Sequence, residues 1–178
     1  MKKRAFPLSK VYGLLEPGPV VLLTTSHHGK DNVMTMSWHT MLDFEPPLIG
    51  CVVSNRDHTF SLLKASKECV IAIPAAKLVK KVVQIGNTSG RDTDKFALTG
   101  LTKMKASVVH APLIAECYAN IECKVADTSM VNRYCFFVLE AVKAWTDPSE
   151  KDPRTLHHLG NGEFRIAGKK IRLPSKMK

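Results

Sequence analysis

A mainly β fold, an antiparallel barrel with flanking helices, is predicted for this 178-residue chain by three observations. Short β-rich apolar runs, separated by Gly, Pro, Asn and Asp turn signals, fill the first two-thirds of the sequence. Helical periodicity is confined to a few brief segments. No regular strand–helix–strand alternation accompanies them, which disfavours a doubly wound parallel sheet.

Taken in order, the apolar run 20–25 follows Pro17-Gly18-Pro19 and reads as a strand. The turn residues Gly29-Lys30-Asp31 then lead into a second strand over 32–39, so the two form a hairpin. Glu45-Pro46-Pro47 interrupts before a strand over 48–53 that ends at a polar corner. Asp57 and Thr59 are both good caps, and Phe60, Leu62 and Leu63 recur at helical spacing after them, which predicts a helix starting near Thr59. A strand over 69–73 is stopped by Pro74. Leu78, Val82, Val83 and Ile85 mark an amphipathic helix with Lys77, Lys80 and Lys81 on its other face, closing at Gly86-Asn87. A polar connection over 90–96 leads into a short helical turn. Two longer strands over 115–126 and 134–146 pair across Asp127-Thr128-Ser129, and Gly160-Asn161-Gly162 reads as a tight turn in a loop-like tail.

At 44% hydrophobic content the chain can bury one sizeable core, and a single domain over 1–178 is expected, with its core at about 18–146 and a C-terminal extension over 147–178. Lys and Arg outnumber Asp and Glu by 26 to 16, a formal charge of +10 that favours anionic partners. The basic residues crowd the ends, from Lys2 to Arg4 and around Lys169, Lys170, Arg172, Lys176 and Lys178, as solvated tails do. Neither aromatic platforms nor a groove-reading helix accompany them, so nucleic acid is an unlikely partner. No apolar run approaches the roughly 20 residues of a membrane span, and Pro7 breaks the N-terminal segment too early for a signal peptide. Cys51, Cys69, Cys117, Cys123 and Cys135 form no Cys-x-x-Cys pair, which fits reduced, buried thiols and a cytoplasmic location. Metal-ligand spacings and the Gly-x-Ser-x-Gly elbow are missing, and Gly160-Asn161-Gly162 lacks the third glycine of a dinucleotide fingerprint.

Two polar constellations remain, each with a plain structural reading and a functional one. Arg56, His58 and Thr59 gather at a predicted helix start, where unpaired backbone amides attract anions. They form either an ordinary cap with an exposed arginine or a phosphate cradle. Met34, Met36 and Trp38 share one strand face at i, i+2, i+4, as a core stripe or as a soft wall beside a planar ring. On the opposite face Thr35 and Ser37 carry hydroxyls, while Asn32, on the methionine side, can both donate and accept.

The runs Asn32-Val33-Met34-Thr35-Met36-Ser37-Trp38, Ser54-Asn55-Arg56-Asp57-His58-Thr59 and Ser89-Gly90-Arg91-Asp92-Thr93-Asp94-Lys95-Phe96, in that order, resemble the flavin reductase-like FMN-binding split-barrel family, and within it the flavoredoxin-like branch. The resemblance implies a homodimer of six-stranded antiparallel split barrels, each holding FMN near the subunit interface. It implies that Asn32, Met34, Thr35, Met36, Ser37 and Trp38 lie along the ring and ribityl chain, that Ser54, Arg56, His58 and Thr59 surround the phosphate, and that Lys95 reaches the cofactor. Phe164 would close over the flavin from the C-terminal turn. NAD(P)H is then the expected transient hydride donor, with an unknown acceptor taking the electrons and no general acid or base required. A flavoredoxin-like electron carrier without its own NAD(P)H activity is the alternative. Where relatives often have a histidine at the start of the last long strand, this chain has Asn132-Arg133-Tyr134, which puts that contact in doubt.

Overall fold

The computed structural model describes residues 3–11 and 18–174. Lys2, Pro17, Lys176 and Lys178, which figured in the expected basic ends and first turn, lie outside the described residues. Strand β1 (Arg4–Phe6) comes first, and β2 (Val21–His27) and β3 (Lys30–Met36) follow as a hairpin. Their turn is tighter than Gly29-Lys30-Asp31 suggested. His27 already pairs with Lys30, and His28 and Gly29 both take positive φ, 50° and 73°, the two-residue turn whose twist suits adjoining strands.

Strands β4 (His39–Phe44) and β5 (Pro47–Val52) form the next hairpin, and α1 (His58–Ser66) ends at Lys67 in a left-handed conformation. β6 (Glu68–Ile73), α2 (Val79–Gly86) and the short α3 (Lys95–Thr99) follow, with the Asp94 carboxylate capping α3 through the amides of Phe96 and Ala97 at 3.0 and 3.1 Å. A small pair, β7 (Lys103–Met104) and β8 (Leu113–Ile114), leads to β9 (Ala119–Asp127), α4 (Val131–Tyr134) and β10 (Phe136–Thr146). β11 (Leu156–Gly160) and β12 (Glu163–Ile166) form a separate two-stranded hairpin around the expected Gly160-Asn161-Gly162 turn. Residues 170–173 take no regular structure.

The main sheet is antiparallel in every pairing and runs β3-β2-β6-β9-β10-β5-β4. Its two ends are one stretch of chain. β3 passes into β4 through Ser37-Trp38 alone, β3 pairs with β2, β4 pairs with β5, and the amide of Val52 donates to the Trp38 carbonyl at 3.0 Å. Counting β3 and β4 as one bent strand gives the six-stranded barrel, split where the strand changes partners. β1 lies outside this ring, beside the far half of β10.

Burial explains why β2 reads as a continuous apolar run. Val21 and Leu23 point into the barrel with Met36, Ile71, Ile121 and Phe137, while Val20 and Leu22 point outward against Val82 and Ile85 of α2. Strands covered on both faces need no polar alternation. α2 is therefore amphipathic because it covers the barrel, and α1 buries Leu63 in the barrel core. The position of Gly50 is set by the Phe136 ring, whose Cζ would lie 2.3 Å from an added Cβ.

Candidate functional site

The bent strand β3–β4 and the N-terminus of α1 define three adjoining hollows, all of which touch Thr35. The first, about 300 Å³, lies between Arg56, Asp57, His58 and Thr59 on one wall and residues 85–90 with Lys95 on the other. The second, about 190 Å³, lies over Met34, Ser37, Trp38, Val52 and Ser54. The third, about 290 Å³, separates α2 from the tail hairpin, between Val82 and Val83 on one side and His158 and Phe164 on the other.

The first hollow is positive. Arg56 sits exposed on its rim, and Arg91 Nη2 reaches the Arg56 carbonyl at 3.5 Å. Partial burial and the nearby charges of Arg91 and Lys95 push the His58 imidazole below its ordinary value, so it resists taking up a further positive charge. Burial likewise pushes the Lys95 ammonium down, with the Asp57 carboxylate opposing that shift. Lys95 Nζ donates to the Ile85 carbonyl at 3.0 Å, which holds it at the C-terminal end of α2. Asp57 occupies the N-cap of α1, but its side chain accepts no first-turn amide, so those N–H groups keep their affinity for an anion.

Asn32 is placed differently from the expectation. It is 6% exposed and lines none of the three hollows; its Nδ2 donates to Thr59 Oγ1 at 2.8 Å. The barrel brings these side chains together across 27 residues, so Thr59 serves as the acceptor for Asn32 rather than as a cap. Asn32 Oδ1 is buried without a hydrogen-bond partner, a condition that costs about 1–3 kcal/mol. Gly90 is packed against it: a Cβ there would lie 2.0 Å from Oδ1. Only glycine lets the 86–91 loop approach this closely.

The methionine-tryptophan stripe separates by depth. Met36 is 4% exposed in the barrel core, Met34 packs partly against that core, and Trp38 is 71% exposed where the strand bends outward. Thr35 donates to the Val82 carbonyl at 2.7 Å, tying β3 to α2. The structure thus gathers Met34, Thr35, Arg56, His58, Thr59 and Lys95 in one hollow, and Met36, Ser37, Trp38 and Ser54 in its neighbour. Phe164 reaches the third. Tyr134 lies exposed on α4 with the Arg133 guanidinium over its ring, and lines none of them. Sequence reasoning missed Gly90, Arg91 and His158 as site residues. The glycine and arginine were signalled by the polar run after α2, and the histidine by the adjacent pair His157-His158 in the C-terminal turn.

Among the described residues no group of His, Cys, Asp and Glu could hold a metal ion, and no helix is long and apolar enough to cross a membrane. Cys51, Cys69, Cys117 and Cys123 are buried free thiols, and Cys135 is a half-buried one.

A family model described as a flavin reductase like domain matches residues 14–166. The chain belongs to that family. Within the flavin reductase-like family, the uncharacterized protein YddH of Escherichia coli K12 is 32% identical over 172 residues, covering 89% of this chain and 91% of YddH. The crystal structure of an FMN-binding domain of a flavin reductases-like enzyme from Shewanella baltica superposes with a TM-score of 0.90 at 28% identity, over 97% of this chain and 98% of that one. The flavoredoxin of Desulfovibrio vulgaris, at 22% identity and a TM-score of 0.81 over 89% and 91% of the two chains, shares the fold.

Proposed function

We propose that this flavin reductase-like chain binds FMN, with the phosphate in the positive hollow and the ring along Thr35, Ser37 and Trp38. The observation that carries the reading is the convergence of Arg56, Lys95 and the uncapped first turn of α1 on one cavity beside that strand, with Arg91 held against the Arg56 carbonyl next to it. Bound flavin supplies two-electron redox chemistry, and the protein's share is to bind, orient and exclude water. Arg56 presents a fork that suits a phosphate, and the hydroxyls of Ser54 and Thr59 add donors at its edge. Asn32 supports this cradle from behind by holding Thr59. Trp38 and Met34 offer apolar surface to a ring, and Phe164 closes the far side. The activity proposed is transfer of electrons from NAD(P)H to a second acceptor.

Arg56→Ala is expected to weaken FMN about tenfold or more while leaving riboflavin, which has no phosphate, nearly unchanged. Flavin fluorescence titrations with both ligands check this, and equal losses would remove Arg56 from the cradle. In the same preparation, anaerobic NADH or NADPH should bleach the flavin absorbance on a catalytic timescale. Stable yellow colour would leave an electron carrier in place of a reductase.

We further propose a homodimer, supported by the exposed apolar side chains of Trp38 and Leu42 on and beside β4, at 71% and 46% exposure. Sedimentation equilibrium should give twice the chain mass. A monomer at micromolar concentration overturns it.

A further inference from the structure

Positive charge concentrates beyond the tail hairpin. Residues 164–178 hold six Lys and Arg and no Asp or Glu, so this stretch carries +6 of the formal +10. Aliphatic side chains are interleaved with the cations, in Arg165-Ile166 and again in Lys169-Lys170-Ile171-Arg172-Leu173. Ile171 and Leu173 are 74% and 73% exposed, the two most exposed large apolar side chains among the described residues, and Ile166 is 49% exposed. Arg165, Lys169, Lys170 and Arg172 are exposed as well, and none of them pairs with a carboxylate among the described residues. The chain is tied to the body of the protein at Ala167, whose amide donates to the Thr155 carbonyl at 2.8 Å; from Gly168 to Pro174 every residue is exposed. No residue of 165–174 lines any of the three hollows, so this surface stands apart from the flavin site.

We infer that the segment is a docking surface for an anionic lipid bilayer, with Ile171 and Leu173 inserted at headgroup level and the flanking Lys and Arg on the lipid phosphates. Charge complementarity and the interleaved aliphatic side chains choose the occupant. A nucleic acid would use the cations but leave Ile171 and Leu173 in water. Its bases are gripped by aromatic platforms, and the one aromatic side chain of the stretch, Phe164, is packed against the cluster of Val20, Leu22 and Val82. A bilayer surface takes both kinds of side chain. Headgroup phosphates attract Lys and Arg within a Debye length, and aliphatic groups gain by leaving water for the acyl boundary. The long stems of Lys and Arg keep their charges among the headgroups while their neighbours go deeper. Such a contact is peripheral and reversible, and needs no membrane-crossing helix.

The test uses the full chain and two variants, Ile171→Ser with Leu173→Ser, and Lys169→Glu with Lys170→Glu and Arg172→Glu. Every changed residue is exposed and outside the regular elements, so both variants are expected to keep the parent's urea midpoint. Phosphatidylcholine vesicles containing about 30% phosphatidylglycerol should carry the parent upward in a flotation gradient at low salt, with release as salt rises and no flotation on phosphatidylcholine alone. The serine variant is expected to bind about tenfold more weakly, and the glutamate variant not to float. A parent that stays at the bottom of the gradient overturns the inference. So does a serine variant that floats like the parent, because the contact is then charge alone, or a glutamate variant that still floats, which moves the contact to another basic face. Duplex DNA that binds the parent more tightly than the vesicles at the same salt, with the serine variant unchanged, assigns the segment to nucleic acid and overturns it too.

Discussion

Glu122→Ala is expected to lower stability by roughly 2–4 kcal/mol, read as a fall in the urea midpoint at unchanged slope. Glu122 is fully buried on the outer face of β9, opposite Val70, under the loop that joins β7 to β8. Its carboxylate accepts from Ser107 N and Oγ, Val108 N and Val109 N at 2.6–3.1 Å, and from Trp145 Nε1 at 2.7 Å. Removing it leaves those donors without their acceptor, and the penalty for orphaned buried donors exceeds the modest net worth of any one bond. Burial pushes this carboxyl up, but the Trp145 indole and the three backbone amides outweigh that and hold it below the ordinary value of 4.5. A depressed folded value means the contribution is complete above about pH 4.5 and is lost as pH falls through the folded value. The parent's urea midpoint should therefore drop in acid, and Glu122→Gln should flatten that slope. An alanine variant with the parent's midpoint would show that water replaces the carboxylate at no cost.

Gly90→Ala should damage the flavin site most directly. The new Cβ would lie 2.0 Å from Asn32 Oδ1, 3.0 Å from its Cγ and 3.3 Å from His58 Cδ2. Asn32 is buried and bonded to Thr59, so it cannot swing away, and the loop must retreat. Such overpacking costs about 1–3 kcal/mol. Because the loop walls the positive hollow, FMN affinity is expected to fall tenfold or more. Asn32→Ala alone orphans Thr59, but in combination with Gly90→Ala it removes the clash, so the double variant should bind FMN better than the sum of the singles predicts. Additive losses, or an unchanged FMN dissociation constant in Gly90→Ala, would sink the assignment of this loop to the cradle.

Much of the architecture was written into local pattern. The apolar runs of β2, β5, β6 and β10, the amphipathic face of α2 and the turn at Gly160-Asn161-Gly162 each reside within a few consecutive residues, where periodicity and turn chemistry act. Element ends were less secure. β9 starts at Ala119 and β10 at Phe136, later than their apolar composition suggested, because Tyr118 N bonds to the Ile73 carbonyl and residues 131–134 turn helical before Cys135 reverses the chain.

The order of Asn32–Trp38, the 54–59 corner and the 89–96 run was enough to mark which family the chain resembles, since motif spacing is a property of the chain itself. What each side chain does depended on closure of the barrel. The same strand face that carries Met34, Met36 and Trp38 passes from core to solvent because β3 changes partners at Ser37, and no local pattern records that change. The Asn32–Thr59 bond, the fit of Gly90 against Asn32 and the arrival of His158 over Val83 join residues 27, 58 and 75 positions apart. Such contacts exist only after the sheet has closed and α2 and the tail hairpin have docked on it, because non-local packing, unlike strand or turn propensity, is decided by the whole chain at once.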